Sequence, residues 1–428
     1  MEFIENLDKQ EYEDFVSNHE KGHFLQSYSW GEFAKKEKKL IPHYVGIKNN
    51  EKLVAATLLL EKKLPFNFSY FYSPRGFVLD WNDVKVLKFF IEKIKKYVKI
   101  RKGIFIKIDP DLIISRFNYL NEKKKSDFDS QKIIKILKEN GFKHQGFTKN
   151  FETMQPRYSF RIDFTQEFSS VYEHFSKTTK QRIKKAENLD VKVEIGNKSN
   201  IKEFYELMRI TENRKDFVSH DLRYYETLYD IFNKMGKCNI FIGKLELETV
   251  LNKFKVEYDL RLKEKEELEK ISSRSKTQNN KLKEINKICE TLFNNINKYN
   301  DLMEEYGKEI VLNGHFIIEY GNKAWVLYAG NHNVLMDSYS NYKVYFEHIK
   351  YYSDKVSTYD QFGTIGDLTE TNSLLGLHEF KKKFGGDYVE FIGEFDCVIK
   401  PIFYFGFTKL VPFYRNFIKF IAKKRNVK

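Results

Sequence analysis

The spacing of apolar residues in the first hundred or so positions alternates between helical and strand patterns. Residues 83–99 carry an apolar stripe at helical spacing, formed by Val84, Leu87, Phe90, Ile91, Ile94 and Val98. Such a stripe predicts an amphipathic helix with one face on a core. The next apolar run, residues 103–108, ends at Asp109-Pro110 and predicts a short strand. The two patterns together predict an α/β (α+β) fold.

A later part of the chain repeats this alternation. From about residue 161 the pattern predicts helices at 168–175, 179–188, 201–214 and 223–235, then strands at 239–244, 315–320 and 324–330. This echo predicts two α/β domains, the first over residues 1–160 and the second over residues 161–244 and 307–396. A chain of 428 residues is also too long for one ordinary core.

Residues 245–306 interrupt the second domain with a different pattern. The segment contains no Gly or Pro, and its second half carries a seam of Leu282, Ile285, Cys289, Leu292, Ile296, Tyr299, Met303 and Tyr306. Steps of three and four are typical of a coiled coil. A weaker seam in the first half and a polar turn at residues 272–275 predict an antiparallel helical hairpin, with arms about 40–45 Å long at ~1.5 Å per residue. This insert could serve as a structural arm or a dimerisation element.

The charge balance favours a polyanionic partner. Lys and Arg number 74 against 60 Asp and Glu, which gives a formal net charge of +14. Such an excess suits nucleic acid, an anionic membrane face or a phosphate-rich substrate, although a lysine-rich genome would also produce it. Apolar residues make up 41% of the chain, which is enough to build cores and excludes wholesale disorder.

Cysteine usage and hydropathy predict a reducing, cytoplasmic location. The three cysteines are far apart and form no CxxC pair, so neither a disulfide framework nor a metal site is expected. The acidic first twenty residues do not read as a signal peptide, and no run of 18 apolar residues occurs. Residues 397–428 form a basic aromatic tail, which either packs on a domain or attaches the protein peripherally to the inner membrane face.

Three clusters carry candidate chemistry, whereas P-loop, HExxH, GxSxG and GxGxxG motifs and the pyrophosphate loop of CoA-dependent acyltransferases are absent. Tyr72 and Arg75 lie at a tight turn after a strand, where Arg75 suits phosphate or carboxylate binding, or is an ordinary surface arginine. Asp109 ends a strand where α/β ligands tend to bind, or caps a turn. Lys381 belongs to a lysine run beside a glycine turn, which by itself is typical of a solvated surface.

Short motifs, taken in order, resemble the Fem family of aminoacyltransferases that build peptidoglycan interpeptide bridges. The matching stretches are residues 24–31 (FLQSYSWG), 73–76 (SPRG), 107–110 (KIDP), 155–157 (QPR), 224–225 (YY), 327–331 (LYAGN), 359–363 (YDQFG), 376–385 (GLHEFKKKFG) and 390–396 (EFIGEFD). The resemblance implies two acetyltransferase-like (GNAT) domains with a groove for a muramyl-pentapeptide. The hairpin insert is similar to that of the hairpin-bearing members.

The resemblance also implies the reaction and its partners. An amine of the stem peptide attacks the ester carbonyl of an aminoacyl-tRNA, so neither CoA nor another cofactor is implied. The acceptor is UDP-muramyl-pentapeptide or lipid II. The positive charge would then contact RNA phosphates, and the hairpin is the family's suspected tRNA-contacting arm.

Two candidate catalytic residues follow from the resemblance. Lys381 corresponds to the lysine of the family's Phe-Lys motif and is implied to stabilise charge near the reacting ester. Replacing Lys381 by alanine is expected to abolish activity with folding unchanged. Asp109 is implied to position the substrate and, second, to act as a base. Substrate contacts are implied for Tyr72, Arg75, Tyr224 and Tyr328, which lie in or beside matching motifs.

The phosphate contacts depart from the family pattern at two places. Ala34 stands where the family has a lysine, so Lys35 is implied as its substitute. His220 stands where an arginine commonly precedes the paired tyrosines, so Arg214 or Arg223 is implied to bind phosphate.

Two other functions stay open at the level of sequence. One keeps the fold and changes the donor, giving a GNAT-type acyltransferase that uses another activated ester. The other is a non-catalytic RNA-binding protein that uses the hairpin as its arm.

Overall fold

The protein, described here from a computed structural model, consists of two mixed β-sheets with helices packed on them. The structure describes residues 1–124, 129–165, 167–215 and 219–410. Within these ranges the α-helices are α1 (Lys9–Asn18), α2 (Tyr28–Lys38), α3 (Val84–Ile100), α4 (Ser130–Glu139), α5 (Phe168–Glu173), α6 (Lys177–Asn188), α7 (Ile201–Lys215), α8 (Leu222–Asn233), α9 (Leu247–Glu269), α10 (Lys276–Tyr306), α11 (Ser340–Ser353), α12 (Leu375–Lys382) and α13 (Pro401–Phe405). The predicted α/β class is confirmed.

The strands divide between the two sheets without strictly following the chain. They are β1 (Glu2–Ile4), β2 (Ile41–Asn49), β3 (Lys52–Lys63), β4 (Ser69–Ser73), β5 (Val78–Leu79), β6 (Gly103–Ile108), β7 (Ile113–Phe117), β8 (Lys123–Lys124), β9 (Phe142–His144), β10 (Tyr158–Asp163), β11 (Lys192–Gly196), β12 (Cys238–Glu246), β13 (Glu309–Tyr320), β14 (Lys323–Asn331), β15 (Thr358–Asp360), β16 (Asp387–Phe391) and β17 (Phe395–Val398). The first sheet has the order β1-β2-β3-β4-β6-β17-β9, with β5 beside β3, and the second has the order β11-β12-β13-β14-β15-β10-β16-β7-β8.

Among the strands that the structure describes, each sheet contains one parallel pair, and a helix joins its two strands. In the first sheet β4 and β6 are parallel with α3 between them in the chain, and in the second β14 and β15 are parallel with α11 between them. All other pairings are antiparallel. This strand–helix–strand unit, present in both sheets, explains why the pattern of helices and strands repeats along the sequence. Ligands tend to bind beyond the carboxyl ends of such parallel strands, and here those ends carry Asp109 and Gln361.

The two sheets exchange strands across the boundary drawn from the sequence. Strands β7 and β8 precede residue 160 but extend the second sheet beside β16, whereas β17 follows β16 and joins the first sheet between β6 and β9. The two crossing segments are themselves bonded, because Ile392 N donates to the carbonyl oxygen of Leu112 at 2.9 Å. The division of the chain into domains at residue 160 therefore stays a prediction. The membership of the two sheets does not follow that division strand by strand.

A shared hydrophobic core joins the two units. Phe24 and Phe33 from the start of the chain belong to the same buried cluster as Tyr225, Phe232 and Trp325. The Phe24 ring centroid lies 5.1 Å from that of Trp325. Burial of aromatic area on this scale favours a fixed relation between the sheets.

The insert forms an antiparallel helical hairpin, as the spacing predicts. Ring contacts run in opposite directions along the two arms, since Phe254 of α9 meets Tyr299 of α10 at 5.3 Å and Tyr258 meets Phe293 at 6.2 Å. Ser275 begins α10 with a capping box. At ~1.5 Å per residue, α9 and α10 are about 35 and 46 Å long.

Two findings concern the carboxyl end. No helix among the described residues is long and apolar enough to cross a membrane. Of the tail predicted from residue 397, the structure describes the end of β17, helix α13 and one further helical turn to residue 410. The rest of the tail lies outside the described residues.

A buried chain of neutral hydrogen bonds ties α11 to the second sheet. His315 Nε2 lies 2.9 Å from Asn341 Oδ1, which can only accept, so this nitrogen donates. His315 Nδ1 then accepts from His348 Nε2 at 3.0 Å, and His348 Nδ1 accepts from the Tyr359 hydroxyl at 2.6 Å. Burial lowers the pKa of His315 to about 3 and holds the pKa of His348 well below its usual value.

We expect this histidine pair to make the protein acid-sensitive. Below the unfolded-state pKa of about 6.5 the unfolded chain takes up two protons that the folded chain excludes, so stability falls as pH falls. The expected loss is about 1–1.4 kcal/mol per histidine for each pH unit below 6. Urea unfolding at pH 7.5, 6 and 5 should therefore give a smaller acid slope for His315→Gln than for wild type. His174→Gln, at an exposed position, serves as the control. Equal slopes in all three proteins would contradict this expectation.

Candidate active site at the junction of the sheets

Asp109 lies at the carboxyl end of β6 and accepts two hydrogen bonds from residues at the end of the neighbouring strand. Its Oδ2 accepts from the Tyr72 hydroxyl at 2.7 Å, and its Oδ1 accepts from the backbone N–H of Arg75 at 2.6 Å. Tyr72 is on β4, the parallel neighbour of β6, which explains how residues 37 positions apart meet. Burial raises the pKa of Asp109 to about 7, although Arg75 and the two donors favour the carboxylate. The structure thus brings together three residues that the sequence nominated in two separate clusters.

The Arg75 guanidinium is directed to the second sheet. Its Nη2 donates to the carbonyl oxygen of Pro156 at 2.6 Å, and its Cζ lies 4.2 Å from the centroid of the Phe391 ring. Arg75 is only 4% exposed, and its Nε has no hydrogen-bond partner among the residues that the structure describes. Arg75 is therefore a buried link between the sheets, and its Nε is a buried donor that no described residue satisfies, which the interpretation as a surface arginine did not predict.

Arg161 is the centre of a buried ion cluster that the sequence analysis missed. It donates to both carboxylate oxygens of Asp111, at 3.0 and 2.6 Å, and to Asp360 at 2.7 Å. The Arg161 guanidinium holds the pKa of Asp111 well below its usual range despite complete burial. Arg161 and Arg75 contact the same aromatic ring, since the Arg161 Cζ lies 4.8 Å and the Arg75 Cζ 4.2 Å from the Phe391 centroid. The available signals were Asp111, which closely follows the predicted strand at residues 103–108, and Asp360, which lies in the matching stretch 359–363; no predicted strand contained Arg161.

Lys381 is buried and holds the loop that follows β15. Its ammonium donates to the carbonyl oxygens of Gln361 at 2.8 Å, of Gly363 at 2.7 Å, and also of Phe362. An ammonium has three donors, so all are used here. Burial lowers the pKa of Lys381 to about 7, while Asp360 favours the charged form. The lysine run is thus not uniformly a solvated surface.

Tyr224 and Tyr328 meet at a second polar point on the shared core. Their hydroxyl oxygens are 2.9 Å apart, and the His220 ring stacks on Tyr224 with centroids 3.6 Å apart. Tyr224 also packs edge-on against Phe33 of α2, with centroids 4.9 Å apart. His220 therefore extends an aromatic cluster where the family pattern has an arginine.

The three remaining predicted residues face different surfaces. Lys35 lines a cavity of about 600 Å³ that also has Lys9, Lys36 and Lys234 on its wall. Arg214 lines a separate cavity of about 250 Å³ beside α11. The Arg223 side chain is 70% exposed, and its Nε lies 3.5 Å from Glu37. No described contact joins these residues to Asp109.

The described residues offer little support for metal or thiol chemistry. No group of three His, Cys, Asp or Glu in them is placed to hold a metal ion. Burial raises the pKa of the Cys238 thiol to about 12 and that of Cys397 to about 11, which disfavours the thiolate.

Comparison with known proteins identifies the family. The model of the FemAB family matches residues 7–411, nearly the whole chain. The chain belongs to the FemAB family. This FemAB protein is 30% identical over 420 residues to the lipid II:glycine glycyltransferase of Staphylococcus epidermidis, covering 95% of each chain. It is 28% identical over 413 residues to the enzyme of the same name from Staphylococcus aureus, covering 93% of each. The crystal structure of FemX superposes with a TM-score of 0.74 at 27% identity, over 94% of this chain and 99% of that one.

The contacts of Lys381 alter one expectation for this FemAB protein. Replacing Lys381 by methionine keeps a long side chain but leaves three carbonyl oxygens without their donor. We expect a loss of stability of about 1–3 kcal/mol, where the sequence-based prediction expected none. Urea unfolding monitored by tryptophan fluorescence would measure it, with the less buried neighbour Lys382→Met as the matched control. If Lys381→Met unfolds at the wild-type midpoint, this expectation is wrong.

Proposed function

We propose that this FemAB protein transfers an amino acid from aminoacyl-tRNA to the stem peptide of lipid II. The observation that carries the proposal is the likeness over 95% of both chains to a protein named lipid II:glycine glycyltransferase. Glycine is therefore the first amino acid to test. The net charge of +14 supports a donor carried on RNA.

The reaction needs one bond made, one bond broken and one proton moved. The amine nitrogen of the stem peptide attacks the ester carbonyl carbon, and a C–N bond forms. The C–O bond to the terminal ribose of the tRNA then breaks. The amine loses a proton and the ribose oxygen gains one, so a group that exchanges a proton near neutral pH assists both steps.

Asp109 is the residue that fits this proton transfer best. A carboxyl group with a pKa of about 7 can accept a proton and return it at neutral pH. Tyr72 and the backbone of Arg75 fix its two oxygens. Its 3% exposure keeps the group away from bulk water. We assign Asp109 to positioning the attacking amine and to accepting its proton.

Lys381 fits a positioning role in this scheme. Its ammonium orders the loop at residues 361–363, which follows the strand equivalent to β6 in the second sheet. To stabilise an oxyanion directly, the ammonium would have to release one of the three carbonyls. Tyr224 and Tyr328, with Arg214 and Arg223 nearer the surface, are assigned to substrate contact.

The lysine-lined cavity beside α2 is assigned to the acceptor's diphosphate. Lys35, Lys36, Lys9 and Lys234 on its wall outnumber one carboxylate, Glu32. We expect the double substitution Lys35→Ala/Lys36→Ala to raise KM for the acceptor about tenfold with kcat little changed, because phosphate binding is shared by ground and transition states. Steady-state transfer assays would show this, with the exposed Lys350→Ala as control. An unchanged KM would contradict the assignment.

The proposed function is tested by direct transfer. Radiolabelled glycine on a charged tRNA pool is incubated with the protein and lipid II, and separately with UDP-muramyl-pentapeptide. Label in lipid II, abolished by ribonuclease, is the expected result, whereas label in the nucleotide-linked acceptor would change the acceptor only. Transfer from acyl-CoA without RNA would favour the GNAT-type alternative. Tight tRNA binding without transfer would favour the RNA-binding alternative.

A further inference from the structure

One end of the first sheet exposes apolar side chains on three neighbouring segments. Ile402 and Phe405 of α13 are 84% and 58% exposed, Phe66 in the turn between β3 and β4 is 90% exposed, and Ile100 at the end of α3 is 75% exposed. Isolated exposed apolar residues are ordinary in soluble proteins, whereas a group of them marks a contact surface.

Backbone and ring contacts place these segments side by side. The Phe68 ring, two residues after Phe66, lies 4.2 Å from the Phe403 ring of α13. Ser69 N donates to the carbonyl oxygen of Lys102, just beyond α3, at 3.3 Å. Lys400, which precedes α13, donates its N–H to the carbonyl oxygen of Ile104 at 2.9 Å. The turn, the end of α3 and helix α13 therefore share one end of the sheet.

Helix α13 is apolar on both of its faces. Phe403 and Tyr404 attach it to the sheet, since Tyr404 meets the Phe105 ring at 5.3 Å and donates from its hydroxyl to Asp396 at 2.8 Å. Ile402 and Phe405 are three residues apart and remain exposed on the outward side. A surface helix ordinarily carries polar residues there. The outward side of α13 thus presents apolar side chains where a helix that faces water normally presents polar ones.

The turn before β4 holds an aromatic ring in the open at a cost in backbone strain. Phe66 has φ of 60°, in the left-handed region that bulky residues avoid. Leu64 N donates to the carbonyl oxygen of Phe68 at 2.8 Å and closes the turn. Backbone strain of this kind is concentrated at functional sites.

Lysines surround the exposed apolar residues. The Lys63 side chain is 54% exposed, and Lys99 and Lys102 are exposed at the end of α3. Lys400 Nζ lies 5.6 Å from the Phe68 ring centroid. Apolar side chains ringed by long cations match the boundary between acyl chains and anionic headgroups, where lysine stems lie along apolar matter and their charges reach phosphate.

We propose that this end of the first sheet docks on an anionic lipid bilayer. The docking end consists of Phe66, Ile100, Ile402 and Phe405, with Lys63, Lys99, Lys102 and Lys400 around them. Its use rests on the proposed function, because lipid II is an acceptor anchored in a bilayer. The contact itself is a property of the surface and can be measured without catalysis.

The test is flotation of the full chain with vesicles of phosphatidylglycerol and phosphatidylcholine, and with vesicles of phosphatidylcholine alone. Wild type is expected to float with the anionic vesicles and to be released by high salt. Ile402→Ser/Phe405→Ser should weaken binding at least about tenfold, since two apolar side chains leave the bilayer. Lys99→Gln/Lys400→Gln should weaken binding to the anionic vesicles by about tenfold. The matched control is Val256→Ser/Leu260→Ser in α9, whose residues are 61% and 55% exposed.

Several outcomes would overturn the docking proposal. These are no flotation of wild type, equal loss in the control pair, or unchanged binding of Ile402→Ser/Phe405→Ser, which would assign the contact to another surface. A wild-type dimer that Ile402→Ser/Phe405→Ser disperses, without vesicle binding, would make this end an interface between copies. Transfer to detergent-solubilised lipid II is measured on the same proteins and should persist in Ile402→Ser/Phe405→Ser. Transfer without flotation would therefore contradict the docking proposal alone, and flotation without transfer would contradict the proposed function alone.

Discussion

Replacing Asp109 by asparagine is expected to lower the transfer rate by about 10²–10⁴-fold, the range that a positioned proton acceptor contributes. Asparagine keeps the shape of the side chain, accepts from the N–H of Arg75, and can donate to the Tyr72 hydroxyl after that hydroxyl turns. It cannot accept a proton. Single-turnover transfer from glycyl-tRNA would measure the effect, with the exposed Asp354→Asn as matched control.

The same variant makes a prediction about pH. Since the Asp109 pKa is about 7 and the carboxylate is the active form, the wild-type rate should rise as pH rises through 7. Asp109→Asn should lose this rise. A rate within a few-fold of wild type, or an unaltered pH profile, would remove Asp109 from the reaction.

As pH rises towards 7, the stability of the wild-type protein should fall while its transfer rate rises. The folded-state pKa of about 7 lies above the ordinary aspartate pKa of 3.8, so the folded protein holds a proton that the unfolded chain releases between these two pH values. Asp109 therefore costs stability as pH rises towards 7, by up to about 4 kcal/mol at ~1.36 kcal/mol per pKa unit. Asp109→Asn should be at least as stable as wild type at pH 8. This separates loss of chemistry from loss of fold.

Replacing Arg161 by methionine is expected to destabilise the protein by about 3–5 kcal/mol. Methionine approximates the apolar stem but leaves Asp111 and Asp360 buried without their common cation. Urea unfolding at pH 7.5 would measure the loss. The matched control is Arg209→Met, whose side chain is 51% exposed and lies 3.5 Å from Glu212. Such an exposed pair is worth about 0–1 kcal/mol.

At acidic pH, the difference in unfolding free energy between Arg161→Met and wild type should become smaller. Arg161 depresses the Asp111 pKa, and a depressed carboxyl pKa contributes stability above the unfolded value that is lost as pH falls. The destabilisation should therefore shrink below about pH 4, near the unfolded pKa of aspartate. If Arg161→Met and Arg209→Met unfold at the same midpoint at pH 7.5, the cluster does not hold the sheets together.

Local patterns in the sequence were sufficient for much of the fold. The apolar stripe predicted a helix at residues 83–99, and α3 spans Val84–Ile100 with Asp83 as its N-cap. The apolar run at residues 103–108 is β6. The hairpin and its turn were likewise predicted, because helical periodicity and capping depend on residues within a few positions of each other. The ordered motifs indicated the family, and that prediction is confirmed.

Local patterns along the chain therefore predicted helix α3, strand β6, the hairpin and the family, and they nominated Asp109 and Lys381, but they predicted no strand at β10, β16 or β17. The three-dimensional packing was needed to show that β17 joins the first sheet and β7 the second, and that Arg161 donates to carboxylates 50 and 199 positions away in the chain. The structure also shows that Lys381 uses its three donors to bind the carbonyl oxygens of one loop. Periodicity records which face of an element is buried, whereas the partner of a buried charge depends on which strands become neighbours. That choice is made by the packing of the whole chain.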